Sequence, residues 1–319
     1  MSGIRTLGTM DQVRFFVAGV PKAGTTALCQ FLGQHPQLFM CPIKEPSFFA
    51  ASELLAIEVP WMRSSIDRKA SAVERWVAGT VPDRPVNGLA LHWDSYQALF
   101  DDARDQLAAG EGSTAYWSAP GAPGAIRDRF PAARFILMLR NPADRFFSQY
   151  LSMRWSKPLR TCRDCFVLAR ERHEEWGAVL DLGCYATHLR RFFEYFPRRQ
   201  FSIHLYEDFC ADPQAVCREI FAFLGVDADH PVDVSGRANE PILPRSSILH
   251  ALRQSIARPY ALSTMVPPRW REPLRRLYRK PRSREAMDPA DRRAIIDYHR
   301  DEILQTSELI GRDLSSWLR

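Results

Sequence analysis

The sequence contains no apolar run of 18 residues, so a membrane-spanning helix is not expected. Residues 1–12 lack a basic patch followed by an apolar stretch, and therefore do not read as a secretory signal. There is no internal repeat and no low-complexity linker. Cysteine is scarce: seven residues, odd in number and scattered, fit a reduced cytoplasmic chain better than a disulfide framework. No second Cys-x-x-Cys accompanies Cys162 and Cys165, so neither a zinc site nor a thioredoxin-like redox pair is expected there, and the segment reads as a loop with two free thiols. Nor does one sign of charge dominate. Forty-three basic against 37 acidic residues leave +6, which favours an anionic ligand but is too mild and dispersed to argue for nucleic acid. What is present is ordinary globular material: 319 residues, 46% hydrophobic and 25% charged, enough for one large domain with a real core.

Three short apolar runs read as buried strands: Val13–Gly19, Arg134–Leu139 and residues 201–206; residues 110–116 carry a fourth, shorter one. Helical spacing covers residues 25–35, 165–176 and 185–196. It also covers Pro142–Met153, Pro213–Leu224 stopped by Gly225, and Pro289–Ile310 between the cap Asp288 and the stop Gly311. The stretch holding Pro36, Pro42 and Pro46 reads as a loop, and residues 53–105 show helical patches of weak periodicity. Strands alternating with helices predict an α/β fold with a central, mainly parallel sheet flanked by helices.

Two segments carry chemistry. The first strand runs into Gly19-Val20-Pro21-Lys22-Ala23-Gly24-Thr25-Thr26 and then a helix. A tight loop opening a helix aims backbone N–H groups and the positive end of the helix dipole at an anion. Lys22 adds a point charge, while Thr25 and Thr26 add hydroxyl donors. In a Walker A loop the lysine follows the last glycine; here it precedes Gly24 by two residues. The second segment is Arg140-Asn141-Pro142-Ala143-Asp144-Arg145-Phe146-Phe147-Ser148, at the carboxyl end of a strand, where open α/β sheets bind ligands. Arg140 and Ser148 suit a second phosphate. Arg145 reads as a structural arginine paired with a carboxylate.

With both segments in this order, the chain resembles the sulfotransferases that use 3′-phosphoadenosine 5′-phosphosulfate (PAPS). PKAGTTAL is similar to their 5′-phosphosulfate loop and LRNPADRFFSQY to their 3′-phosphate motif. HPQLFMCPIKEPSFF resembles the segment that carries the acidic base in the carbohydrate, heparan-type branch, and EGSTAYW, GCYATHLRRFFEYFP, YEDFCADP and GRDLSSWL resemble later landmarks. The resemblance implies a P-loop-like three-layer fold, a single domain over 1–319 with its core at about 13–319, and a soluble bacterial enzyme. It implies PAPS as donor without a metal, a small-molecule, glycolipid or carbohydrate acceptor, and donor contacts from Lys22, Ala23, Gly24, Thr25, Thr26, Arg140 and Ser148. Residues 50–99 and 248–284 would then be acceptor-side and donor-closing insertions.

Sulfonyl transfer by in-line displacement needs positive charge at the leaving oxygen, which Lys22 is placed to give, and a base for the acceptor's proton. By resemblance that base is Glu45, with Lys44 beside it and Pro46 expected to hold it extended. His92 is the rival, since histidine serves as base in the cytosolic branch. His35 and His188 read as satisfied helix histidines. Tyr185 is a candidate adenosine contact or a core tyrosine. Residues 269–284 hold eight basic side chains against Glu272 alone, and Lys280, Arg282 and Arg284 sit where the family closes a basic loop on the 3′-phosphate. Two positions depart from the heparan-type branch, which often has histidine where Ser47 stands and lysine where Gly112 stands. The rival functions are a P-loop-type kinase, against which the lysine spacing speaks, and a non-catalytic nucleotide-binding protein.

Overall fold

The computed structural model describes residues 13–57, 60–80, 87–154, 161–173, 176–235, 243–244, 279–280 and 285–319. Five parallel strands, β1 Val13–Gly19, β2 Leu38–Met40, β3 Ala108–Gly112, β4 Arg134–Leu139 and β5 Phe201–Leu205, form one sheet in the order β2-β3-β1-β4-β5. Phe15 to Ala18 of β1 and Phe135 to Leu139 of β4 are buried on both faces, which is why these strands read as continuous apolar runs and not as alternating ones. β3 (Ala-Ala-Gly-Glu-Gly) is instead made of small residues: a Cβ at Gly110 would stand 2.4 Å from the Phe15 ring.

The helices are α1 Thr25–Leu32, α2 Ala51–Leu55, α3 Pro60–Val77, α4 Trp93–Ala98, α5 Ala115–Ser118, α6 Ala122–Arg129, α7 Pro142–Met153, α8 Cys162–Arg170, α9 Gly177–Asp181, α10 Tyr185–Phe193, α11 Tyr206–Ala211, α12 Pro213–Leu224 and α13 Pro289–Ile310. The chain leaves β1 towards β2 on one side and later passes from β3 over β1 to β4 on the other. Right-handed crossovers therefore place α1 on one face and the β3–β4 and β4–β5 helices on the opposite face. Phe31 of α1 meets Phe209 of α11, while Trp117 of α5 meets Tyr185 and Phe192 of α10 across the sheet. The reversal of winding at β1 opens a crevice at the carboxyl ends of β1, β3 and β4.

Several elements differ from their expected bounds. β2 lies within the proline-rich stretch expected to be loop, a three-residue strand held by pairing with β3. α8 starts at Cys162, because Thr161 and Asp164 form a reciprocal capping box. The Cys-x-x-Cys segment is thus the first turns of a helix and not a loop, with both cysteines buried and neither in a disulfide. α3 is a full helix whose buried residues, among those described, are Ile66, Ala70, Ala72 and Val73, too few and too small to stand out from its many polar residues. Residues 279–280 pair with 243–244 in an antiparallel ribbon; most of the expected donor-closing insertion, including Arg282 and Arg284, lies outside the described residues.

Candidate active site

Gly24 caps α1 in a left-handed conformation, φ 82°, and no side chain caps the helix. The first N–H groups of α1 are thus left to the cleft. Glycine is needed twice over at this position, since a Cβ would also meet the Tyr206 ring at 3.0 Å. Lys22 is left-handed too, φ 73°. Burial, followed by the positive charges of Arg145 and Arg140, pushes its ammonium below the ordinary lysine value. A cation surrounded by cations, beside an uncapped helix start, is a place prepared for an anion. Ala23 is buried and donates its N–H to Val20, closing the turn.

Arg140 leaves β4 beside this loop. Its Nη1 donates to the Lys22 carbonyl at 2.9 Å, and its guanidinium lies over the Tyr206 ring at 4.5 Å. The two sequence segments therefore meet in space. Ser148 sits half-buried on α7. Tyr185 is fully buried and donates its hydroxyl to the Arg140 carbonyl at 2.6 Å, so it supports the strand end from below. Arg145 departs from expectation. It is wholly buried and pairs with no carboxylate; Nη2 donates to the Val179 carbonyl, while Nε and Nη1 meet no partner among the described residues. The ionisable groups that act on it are Tyr185, Cys184 and Arg140, none of them a carboxylate.

Glu45 enters the same cleft from the other side. A cavity of about 690 Å³ is lined jointly by Lys22, Thr25 and Thr26 and by Lys44, Glu45 and Thr114. Glu45 Oε1 accepts from Lys44 Nζ at 2.6 Å and from Thr114 Oγ1 at 3.1 Å, and Oε2 accepts from the Thr114 N–H at 2.7 Å. Burial opposes the charge on Lys44, but Glu45, with help from Cys29 and Glu111, outweighs it and holds the ammonium above its ordinary value. Glu45 is not extended as expected from Pro46: its φ is 58° and that of Ser47 is 48°. Tertiary bonds override the proline. The Glu45 N–H donates to Gly112 O at 2.9 Å and the Ser47 N–H to Ser113 Oγ at 2.9 Å. Among the described residues only Lys22, Glu45, Ser47 and Arg172 are non-glycine residues with positive φ; Lys22 and Glu45 line this cleft and Ser47 lies buried in the turn behind Glu45. Nothing in the linear pattern announced them.

A family model described as the sulfotransferase family matches residues 14–230. The chain belongs to the sulfotransferase family. Among curated members, the mouse bifunctional heparan sulfate N-deacetylase/N-sulfotransferase 3 is 25% identical over 328 residues, covering 98% of this chain and 32% of its own length. Human heparan sulfate glucosamine 3-O-sulfotransferase 6 is 28% identical over 216 residues, 66% of this chain and 51% of its own length. The chain thus spans about a third to a half of these two sulfotransferases. A solved sulfotransferase from Alicyclobacillus acidocaldarius superposes with a TM-score of 0.69 at 25% identity, over 97% of this chain and 99% of that one.

The remaining candidates of this sulfotransferase fall away from the cleft or outside description. His92 is exposed at the N-cap of α4 and does not line the cavity. His35 and His188 are buried on backbone carbonyls, of Asp227 and Asp181, as satisfied histidines. Lys280 belongs to the short ribbon, and its side chain, like Arg282 and Arg284, lies outside the described residues. Gly112 has no room for a lysine, because a Cβ would stand 2.5 Å from Cys29 Sγ. Burial pushes the Cys29 and Cys162 thiols up to about 12, which makes both poor nucleophiles. No helix among the described residues is long and apolar enough to cross a membrane.

Proposed function

We propose that this sulfotransferase moves a sulfonyl group from PAPS to a hydroxyl of a small-molecule or carbohydrate acceptor, with Glu45 as general base. The observation that carries the reading is the single cleft shared by Lys22, Thr25 and Thr26 on one wall and Glu45 on the other. The uncapped start of α1 and the unpaired cations Lys22 and Arg145 fit an anionic donor. In this reading the loop from Lys22 to Thr26 holds the 5′ end of the donor, Arg140 and Ser148 hold its 3′-phosphate, and Lys280, Arg282 or Arg284 closes over it. Tyr185 acts from below, through Arg140. When bound, the donor supplies a sulfonyl group activated by its phosphate.

Lys22 keeps positive charge in a partly dehydrated place, where it acts strongly on negative charge that develops there. Glu45 takes the acceptor's proton on Oε2, whose second acceptor position is left open by the Thr114 N–H bond. Phe48 and Phe49, packed on Tyr96, stiffen the turn behind it. The carbohydrate names of the relatives support a sugar acceptor, and the full-length likeness to the Alicyclobacillus protein supports a bacterial enzyme. Calorimetry in EDTA tests the donor: adenosine 3′,5′-bisphosphate is expected to bind and ATP to bind poorly, and equal affinities would sink the assignment. ³⁵S-labelled PAPS offered to acceptor pools then identifies the acceptor.

A further inference from the structure

The resemblance and the cleft direct attention to Glu45; the fold also buries a second carboxylate behind it. Glu111 is the fourth residue of β3 and has no solvent exposure. Among the described residues no lysine or arginine forms an ion pair with it. Three neutral hydroxyls hold it instead: Ser113 on Oε2, with Tyr116 at 2.5 Å and Tyr96 at 3.3 Å on Oε1. A carboxylate buried without a cationic partner is costly, and a well-packed apolar residue would serve a core better.

Its neighbour Ser113 explains the position. Because the Ser113 hydroxyl hydrogen is claimed by Glu111, only lone pairs face the Ser47 N–H, which donates to Ser113 Oγ at 2.9 Å. Ser47 and Glu45, two residues apart, both stand in the left-handed region that side chains enter reluctantly. The exit of β3 grips this turn at three places: Gly112 O takes the Glu45 N–H, Ser113 Oγ takes the Ser47 N–H, and Thr114 takes the Glu45 carboxylate.

We propose that Glu111 is a positioning residue for catalysis, acting through Ser113 to fix the strained turn that presents Glu45 to the acceptor. The inference rests on Glu45 being the base. It makes the charge on Glu111 matter. Ionised, Glu111 accepts from all three hydroxyls. Protonated, it becomes a donor, and one of those hydroxyls must turn away; where Ser113 turns, the bond pattern under Ser47 changes. The groups facing Glu111 are Tyr96 from α4, Tyr116 from α5, Lys44 and Glu45 from the turn and Cys29 from α1, with Arg14 of β1 acting on Tyr96. Burial pushes Glu111 up to about 7; Ser113 and Tyr116 pull it down, Glu45 adds to the rise, and Tyr96 also pulls down. Turnover is therefore full above about pH 7 and declines as pH falls through that value.

Turnover is read as adenosine 3′,5′-bisphosphate released from PAPS, with the hydroxyl acceptor that the ³⁵S-labelled pools identify and water alone as the background. Glu111→Gln keeps the shape and is expected to lower kcat about 10–100-fold. Donor affinity should be unchanged, and the decline near pH 7 should disappear. Ser113→Ala should reproduce the loss and Ser113→Thr should restore most of it. The double variant Glu45→Gln/Glu111→Gln should be no slower than Glu45→Gln alone, because Glu111 acts through Glu45. Should Glu111→Gln not fold, Ser113→Ala with the native pH profile carries the test. Normal kcat in Glu111→Gln, a retained decline near pH 7, or additive losses in the double variant would overturn the inference while leaving Glu45 as base. Near-normal turnover of Glu45→Gln would overturn both.

Discussion

Replacing Glu45 by Gln removes basicity and leaves shape, so kcat should fall about 10²–10⁴-fold in steady-state turnover while donor affinity stays nearly intact. His92→Ala, run beside it, should change nothing, because His92 is exposed and outside the cleft. Lys22→Ala should lower kcat as well as donor binding, since its charge is needed more as the leaving group departs than before. Arg140→Ala should weaken binding of adenosine 3′,5′-bisphosphate by about 1.5–3 kcal/mol in calorimetry, the loss of a charged hydrogen bond. Lys22, Gly24, Thr25, Thr26 and Arg140 could be proposed from the sequence because loop and strand-end chemistry is local: the candidate residues are neighbours in the chain. Glu45 was proposed through a family resemblance, because its place in the cleft depends on Thr114 and Gly112, some seventy positions away. Glu111 opens the EGSTAYW landmark, but that resemblance gave the carboxylate no role, and a single acid among small residues has no periodic signal.

Elements with their own punctuation were readable to the residue. α7, α12 and α13 each begin with a capping Asn or Asp followed by proline, and the last two end at left-handed Gly225 and Gly311. β2 and α3 were not, since one exists only through pairing with β3 and the other buries few and small residues. The cap of α7 also offers a sharp test. Asn141 is buried; its Oδ1 accepts from the Ala143 N–H at 2.9 Å and the Asp144 N–H at 3.4 Å, while Nδ2 donates to Trp317 O at 3.2 Å. Asn141→Ala should cost about 1–2 kcal/mol in urea unfolding. Asn141→Asp should restore the cap but not the bond to Trp317, giving a smaller loss.

Over the whole molecule, buried titrating groups set the response to acid. Burial pushes His188 and His204 down to about 4, before smaller effects of nearby groups, and burial lowers His299 too. Unfolded, such histidines take a proton near pH 6.5. Their contribution to stability is complete above that value and is lost as pH falls towards 4. Glu111 works the other way, since its raised value favours the folded state below pH 4.5 and that favour is lost as pH rises through about 7. The large downward shifts of His188 and His204, joined by His35 and His299, set against the raised carboxyls Glu111, Glu207 and Asp291, predict a melting temperature that drops between pH 6.5 and 4, with His188→Gln and His204→Gln each flattening the curve in scanning calorimetry. Glu111→Gln should be gained stability above pH 7 and lost speed, a trade common at functional positions.

The final turn of the chain has a practical bearing. Trp317 packs its ring on Tyr185, whose hydroxyl holds the Arg140 carbonyl, and Asn141 next to Arg140 holds the Trp317 carbonyl in return. The tail is in effect a wedge driven under the donor end of the sheet. Trp317→Ala would withdraw that wedge, and a weakened binding of adenosine 3′,5′-bisphosphate in calorimetry is the expected sign.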